Sequence, residues 1–495
     1  MITSKSEVLI VGGGFVGLCA AAALAAEGHR VTVLEARAGT DPRFRGELIH
    51  AHGVRALASL GLDQVLERAG AWRATGFAVF TGAKDERILL GYPRGHGLAM
   101  DHHAMVAALR EEISSRPGVC VKTGHRVTDV LRDGERVVGV RTSEGLEFRA
   151  DLTVVADGRH SRLRPLLGLT ESSTLLSFTA ALKIDGISLP EAGRGHVFAA
   201  PMGPILAYQV GPSQVRMCVD VPQDRAKGSK QSLAQLLVGE YAPYVPEPLR
   251  SAMLAAITAG HVEMCANQAI RTERCYVQGA VLVGDSAGCS HPLSATGMTI
   301  GLHDVVTLAR SLGAHTTQAT ALARYESERY AYSRAREVLA QALYDVFLAA
   351  TPGAAVLREG MFRYWRIDER ARTASMALLA GDDSRLRSFA REYVTVVGTA
   401  ASALRDEGQG LGWRESMAYR ASITASAWRV ARKPLARSGE AGWLELLRRL
   451  GKRPAAAVPQ ANSAQTASSR RAQSAHVATP HATAHEPRRS PRPSR

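Results

Sequence analysis

The 495-residue chain predicts an α/β fold: a Rossmann-like dinucleotide-binding domain, interrupted by an antiparallel β-sheet domain and followed by a helical C-terminal region. Three observations carry that expectation. An apolar run at the amino end stops at a glycine-rich turn and opens an alanine-rich helix. The middle of the chain alternates apolar and polar residues with a period of two, and beyond residue 319 the apolar spacing becomes helical. Hydrophobic content of 46% with 22% charged residues is ordinary for a globular protein and excludes a fibrous or wholly disordered chain. The length is about three times a typical domain of roughly 150 residues, which leaves room for one interleaved unit or for two to three domains.

Residues 8–11 form a short apolar strand, Gly12 to Gly17 the turn, residues 18–27 a helix and residues 31–35 a second strand. This is a βαβ unit of about the expected ~30 residues. Gly12 permits the tight turn, Gly14 lets backbone approach a pyrophosphate, and Gly17 allows close helix-on-strand packing. Glu35 ends the second strand, where a carboxylate bridges ribose hydroxyls and argues against a 2′-phosphate on the bound adenosine. No second fingerprint of this kind occurs, so a nicotinamide nucleotide is expected as a transient visitor rather than the tenant of its own domain. Next come a helix at 101–116, strands at 119–131 and 136–149 around a turn at Asp133-Gly134, and a buried strand at 152–156. Residues 173–221 read as strand, with Val215, Met217, Val219 and Val221 alternating after the turn Gly211-Pro212-Ser213. Strand and helix return at 277–311. The expected domains are therefore 1–172 with 270–318 for the dinucleotide, 173–269 for the substrate sheet with part of 72–100 joined to it, 319–450 helical, and 451–495 a disordered basic tail.

The formal charge is +15, and the tail holds nearly half of it: eight Lys or Arg and one Glu from Gly451 to Arg495 give +7. That tail has too few large apolar residues to fold alone, and no aromatic residue on which a base could stack, so no nucleic acid partner is expected. No apolar run reaches the ~18 residues of a membrane span, and the start fits a first strand better than a signal sequence. A cytoplasmic protein is expected. Trp443, Leu446, Leu447 and Leu450 fall at helical spacing beside Arg448, Arg449, Lys452 and Arg453, and residues 417–433 are weaker in the same character. Either stretch suits peripheral membrane association or packing on the protein's own body. Six cysteines without a CxxC or Cys/His cluster indicate neither zinc nor a disulfide framework; buried thiols are expected. Asp101, His102 and His103 are consecutive on a helix, point in different directions and cannot chelate one metal.

Residues 284–304 read GDSAGCSHPLSATGMTIGLHD. An apolar strand precedes the Gly-Asp pair, a Pro-bearing loop follows, and Gly297 opens a helix, an arrangement suited to grip a flavin's ribityl chain and aim a helix N-terminus at its ring. With Asp285, His291, Pro292, Leu293, Gly297, Met298 and Thr299 at these spacings, the segment closely resembles the squalene epoxidase branch of the FAD-dependent monooxygenases. Asp157-Gly158 with Ser161 and Arg164 resembles the Asp-Gly motif of single-component flavin hydroxylases. Asp41-Pro42-Arg43 leading to Gly46-Glu47-Leu48, and the segment 195–222 ending Val-Asp-Val-Pro, are similar to further stretches of the family.

The resemblance covers roughly residues 6–310. It implies an FAD-binding domain of the glutathione-reductase or p-hydroxybenzoate-hydroxylase type, with NADH or NADPH as reductant and molecular oxygen as co-substrate. It implies FAD contacts from Gly12, Gly14, Phe15, Val16, Gly17, Glu35, Ala36, Arg43, Leu48, Val127, Asp157, Asp285, Gly297 and Met298. Three positions depart from the family: His50 stands where a Gln lies beside the flavin, Phe77 where a Tyr supports that Gln, and Ala104 where a helix begins with a flavin-facing Arg. His50 titrates near neutral pH and is the candidate catalytic residue, hydrogen-bonding to flavin N5 or to a substrate oxygen, or else a structural histidine. The implied chemistry is transfer of oxygen from a flavin C4a-hydroperoxide to an electron-rich C=C of an apolar substrate in a dry pocket. Two substrates compete: a linear isoprenoid such as squalene, and a prenylated aromatic such as a quinone or quinolone. The three departures, with Ala/Arg/Gly usage of a bacterial kind, favour the prenylated aromatic and a place in antibiotic or other secondary metabolism. Reduction of an isoprenoid double bond is the alternative reaction; a flavin halogenase is disfavoured because none of the five tryptophans forms a Trp-x-Trp motif.

Overall fold

The computed structural model describes residues 7–40, 43–82, 86–314, 317–348 and 351–407. The two C-terminal stretches with interfacial character, the basic tail, and Asp41 and Pro42 lie outside the described residues. Two large sheets organise the rest.

The first has six strands in the order Tyr276–Val277, Ala280–Leu282, Leu152–Val155, Glu7–Val11, Arg30–Glu35 and Val119–Thr123. All pairings are parallel except the first. Its central strands are almost continuous Val, Leu and Ile because both faces are covered. Helices Phe15–Ala26, His102–Ser114 and Gly297–Ala314 pack on one another against it, and the antiparallel strands Val127–Asp133, Arg136–Thr142 and Glu147–Arg149 pack beside Leu152–Val155. The stretch expected as one strand over 119–131 is split at Gly124, which turns with φ +81°, so that Val119–Thr123 pairs in this sheet and Val127–Asp133 in a three-stranded one. Two glycines set the helix against its strand. A Cβ on Gly17 would stand 1.9 Å from the carbonyl oxygen of Gly12, and one on Gly12, at φ +107°, 2.5 Å from that of Ala156.

The second sheet has eight strands in the order Gly288–Cys289, Val262–Thr272, Glu171–Asp185, Gln214–Pro222, Gly203–Gly211, Arg194–Ala200, Gly76–Phe80 and Arg87–Gly91. Every pairing is antiparallel except that of Arg194–Ala200 with Gly76–Phe80. On one face Val215, Met217, Val219 and Val221 join Ala180, Leu182 and Ile184 in a core closed by Leu249–Thr258 and the turns before it. The other face is covered as well, by the helices Gln318–Leu348, Pro352–Ile367, Glu369–Ala380 and Leu386–Glu407 and by the loop at 288–297. Thr351 and Asp368 cap the second and third of these helices through their side chains. Among the described residues no single helix is long and apolar enough to cross a membrane.

Candidate active site

A cleft runs along the carboxyl ends of the parallel strands, where open α/β sheets receive dinucleotides. Gly12, Gly14, Phe15, Val16, Glu35, Ala36, Asp157, Asp285, Gly297 and Met298 all line it. Glu35 is built into the turn: Oε2 accepts the Gly13 N–H at 2.8 Å and Oε1 that of Arg37 at 2.9 Å. A Cβ on Gly14, Gly39 or Gly158 would meet nothing within 4 Å, so backbone faces open space in the cleft. These features fit FAD. Gly17 packs behind the turn, and Val127 is buried at the start of its strand while Arg126 lines the cleft in its place. Arg45 and His102 line the cleft, whereas Arg43 does not. His102 Nδ1 is 2.8 Å from the carbonyl of Gly46. Ala104, half-buried, receives the cap of its helix, its N–H reaching Asp101 Oδ1 at 3.4 Å. Asp157 turns one oxygen to the backbone N–H groups of Arg162 and Leu163, at 2.9 and 3.4 Å, and so caps a short helix while lining the cleft.

The Gly-Asp turn is held from behind by buried charges. The Gly284 N–H donates to Asp304 Oδ2 at 2.9 Å, and Arg329 Nε donates to the same oxygen at 3.0 Å. Arg164, 3% exposed, donates to the Ser286 carbonyl at 2.6 Å. Tyr325 donates to the Leu282 carbonyl at 2.8 Å. Asp285 itself receives no donor from the described residues and faces the cleft. Burial pushes its carboxyl pKa up, while Arg159 and Arg45 pull it down.

At Arg45, Gly46, Arg159, Asp285, Gly297 and Met298 the cleft meets a second cavity under the antiparallel sheet. Leu48, Pro204, Leu206, Leu293 and Ile300 give it apolar walls. Its other walls are polar and buried. Glu47, 1% exposed, accepts two hydrogen bonds from Arg216 at 2.8 and 2.9 Å and one from Tyr208 at 3.2 Å. Burial opposes the Arg216 charge, but Glu47 more than offsets it and holds the guanidinium above its ordinary pKa. Phe44 stacks on Arg216 with the guanidinium carbon 5.1 Å from the ring centre. Nearby, Ser177 Oγ donates to Asp220 Oδ1 at 2.5 Å and receives Nδ2 of Asn267 and Nε2 of His291, both at 2.9 Å. His291 Nδ1 accepts the Leu293 N–H at 3.1 Å, which fixes the proton on Nε2. This knot ties the 288–297 loop to the sheet.

Of the two roles expected for His50, the structure carries the structural one. The residue is fully buried, Nε2 donates to the Ser294 carbonyl at 2.8 Å, and Nδ1 receives the Tyr92 hydroxyl at 2.8 Å. Neither nitrogen is left for a flavin or a substrate. Burial also lowers its pKa from 6.5 to about 4, so the ring is neutral at physiological pH rather than titrating there. Phe77 is buried beside it with ring centres 5.9 Å apart, and Tyr92 supplies the support for which Phe77 has no hydroxyl. The cysteine expectation is also corrected in part. Cys19 and Cys275 are buried, but Cys120 is exposed, and half-buried Cys218, Cys265 and Cys289 line the second cavity.

A dinucleotide cleft that opens at one end into a cavity roofed by an antiparallel sheet is the arrangement of an FAD-dependent monooxygenase. The model of the squalene epoxidase family matches residues 149–408, and that of an NAD(P)-binding Rossmann-like domain matches residues 10–68. Squalene epoxidase 2, mitochondrial, of Arabidopsis thaliana is 32% identical over 413 residues, spanning 80% of this chain and 70% of its own. Squalene epoxidase of Saccharomyces cerevisiae is 27% identical, spanning 74% of this chain and 82% of its own. The chain belongs to the squalene epoxidase family. Among solved structures, PqsL of Pseudomonas aeruginosa, described as a probable FAD-dependent monooxygenase, aligns over 75% of this chain and 99% of its own, with a TM-score of 0.60 and 22% identity. HpxO of Klebsiella pneumoniae complexed with FAD aligns over 76% and 99%, with a TM-score of 0.63 and 21% identity. Those two likenesses are of fold. The protein is thus an FAD-dependent monooxygenase that uses NAD(P)H and oxygen on a small molecule.

Proposed function

We propose that the chain oxygenates an electron-rich C=C of an isoprenoid-bearing substrate, namely a prenylated aromatic such as a quinone or quinolone, by epoxidation or hydroxylation. In this reading FAD is held by Gly12, Gly14, Phe15, Val16, Glu35, Ala36, Asp285, Gly297 and Met298, with Arg45 and His102 added to the residues the sequence picks out. FAD supplies the redox chemistry, taking electrons from NAD(P)H and activating oxygen for transfer. The protein supplies orientation and dryness. Leu48, Leu206 and Met298 exclude water, and the Glu47–Arg216 pair fixes residues 44–48 where cleft and cavity meet.

The observation that carries the aromatic reading is the mixed wall of the second cavity. A pure hydrocarbon gains nothing from lying beside Asp220, whose Oδ2 is buried with no hydrogen-bond partner among the described residues, whereas a ring carrying hydroxyl or N–H groups does. Epoxidation of squalene or another linear isoprenoid is the second reading, supported by the names of the relatives. FAD-loaded protein is to be given NADH or NADPH with squalene, prenylated quinones and prenylated quinolones, following oxygen uptake and product mass. The expected result is a gain of one oxygen atom on a prenylated aromatic and none on squalene. Oxygenation of squalene alone favours the second reading, and double-bond reduction without oxygen uptake sinks both.

A further inference from the structure

The second cavity lies at the front of the antiparallel sheet, and the segment 292–298 forms one of its walls. Pro292, Leu293, Ala295 and Thr296 line this front cavity, while Gly297 and Met298, which open the helix Gly297–Ala314, line both it and the dinucleotide cleft. Between wall and helix stands Ala295. Among the described residues it is the only one other than glycine with a positive φ, at φ +50° and ψ +26°. A Cβ disfavours that left-handed conformation, which persists only where the surroundings over-determine it. One residue grips the chain on both sides of the strained position. His50 Nε2 donates to the carbonyl of Ser294 just before it, and the His50 backbone N–H donates to Thr299 Oγ1, in the first turn of the helix after it, at 3.2 Å. The Tyr92 hydroxyl, donating to Nδ1, keeps the proton on Nε2 and so keeps the imidazole a donor to Ser294.

We propose that His50 is a positioning residue: by relaying the Tyr92 hydroxyl to the Ser294 carbonyl it holds Ala295 left-handed, and so aims the N-terminus of the helix Gly297–Ala314 at the flavin. This rests on the flavin contacts proposed above for Gly297 and Met298, and is independent of which substrate is oxygenated. A left-handed residue turns the backbone sharply between the Pro292–Ser294 turn and the helix. Relaxation of Ala295 to a right-handed or extended conformation would rotate the peptide planes at Thr296 and Gly297. There a helix has N–H groups without intrahelical partners and the positive end of its dipole. The strain at Ala295 and the two engaged nitrogens of His50 then have one cause: the loop is bent against its preference, and the imidazole keeps it bent.

The test is a double-mutant cycle on full-length protein, read as the FAD dissociation constant from titration of the apoprotein and as the absorption spectrum of the bound flavin. Circular dichroism of the apoprotein serves as the folding control. His50→Leu fills the space without a donor and should weaken FAD binding about tenfold, the worth of one buried hydrogen bond, and alter the flavin spectrum. His50→Gln, whose amide still donates to Ser294, should restore affinity to within about threefold of the native chain. Ala295→Gly should change affinity less than about twofold in the native chain yet recover at least about threefold in His50→Leu, because glycine holds the left-handed conformation unaided. Tyr92→Phe keeps the imidazole but frees its tautomer; it should weaken binding about threefold and be rescued by the same glycine, so the cycle is readable on either residue. Effects of His50→Leu and Ala295→Gly that simply multiply overturn the proposal, as does a His50→Leu protein with unchanged dissociation constant and spectrum. Gly297→Leu separates that failure from failure of the flavin site. A Cβ at Gly297 meets nothing closer than 3.9 Å, so the chain has room for a side chain that would take the flavin's place. FAD bound normally by Gly297→Leu sinks those flavin contacts together with the proposal, whereas FAD lost by it, with effects that multiply in the cycle, sinks the proposal alone.

Discussion

Two buried ion pairs of the same chemistry sit at opposite ends of the site's construction. Asp304–Arg329 lies behind the Gly-Asp turn, with the carboxylate fully buried and also receiving the backbone N–H of Gly284. Glu47–Arg216 lies where the cleft meets the front cavity, with side chains 1% and 6% exposed, and also receives the Tyr208 hydroxyl. The first pair joins two helices to a turn that strands alone do not hold; the second joins an irregular segment to a sheet and forms part of a cavity wall. Desolvating a carboxylate is costly in both places, so retention of either pair speaks for placement of backbone rather than for net stability. The difference between them is what each one places: a turn that faces the cofactor cleft, or a wall that faces the substrate.

The largest expected effect comes from breaking the first pair. Asp304→Ala leaves Arg329 uncompensated in the interior and frees the Gly284 N–H, and should cost about 3–5 kcal/mol in denaturant unfolding together with loss of retained flavin. Replacing both members by apolar residues of similar size should recover much of the stability but not the flavin, which separates holding the turn from holding the fold. Glu47→Gln keeps the volume and loses the charge. It should cost about 1.5–3 kcal/mol, while flavin stays bound and turnover falls, seen as a lower kcat on a holoenzyme of normal absorbance. If both variants lose flavin equally, the contrast between the two pairs is wrong.

A third tie uses a neutral group and is sensitive to acid instead. His50 has a folded-state pKa of about 4 against its ordinary 6.5, so the unfolded chain binds a proton that the folded chain refuses between those values. Its stabilisation is complete above about pH 6.5 and declines as pH falls toward 4. His196, also lowered to about 4 by burial, adds to the same slope. Denaturant midpoints measured across this window should fall on acidification, and His50→Gln should flatten the fall. The smallest effect concerns Ala295, which closes the Pro292–Ser294 turn at φ +50° and lines the front cavity. Ala295→Gly should change stability by about 1 kcal/mol or less, because relief of the left-handed conformation is partly offset by the freer unfolded chain. Thermal unfolding resolves a change of that size.

The dinucleotide cleft was legible because its chemistry is written locally. Gly12, Gly14, Gly17 and Glu35 lie within one βαβ unit, and the period of the pattern says which side each residue takes. The front cavity was not, because its polar wall is assembled from residues far apart in the chain: Glu47 with Arg216, and Ser177 with Asp220, Asn267 and His291. The alternation Val215, Met217, Val219, Val221 is plain in the sequence, yet it says only that the odd positions are buried. Arg216 and Asp220, on the even positions, are buried as well, because loop and helices cover the second face of the sheet. A charged residue between valines signals a covered second face only when a partner of opposite charge can be named, and no spacing rule names Glu47. His50 shows the converse limit, since its sequence position left a chemical and a structural role open. Its position beside a flavin-binding segment suggested chemistry, whereas the hydroxyl of Tyr92 and the carbonyl of Ser294, distant in sequence, decide its state.

The order in which strands join the two sheets bears on how the protein is made. Gly76–Phe80 waits for Arg194–Ala200, and Leu152–Val155 waits for Ala280–Leu282, before either sheet has its full set of neighbours. A growing polypeptide emerging from the ribosome therefore exposes unpaired strand edges for nearly the first three hundred residues of synthesis. Such long-range pairing slows folding and leaves those edges open to wrong partners, so yield in a heterologous host should depend on translation rate and chaperone supply more than on the stability of the finished enzyme.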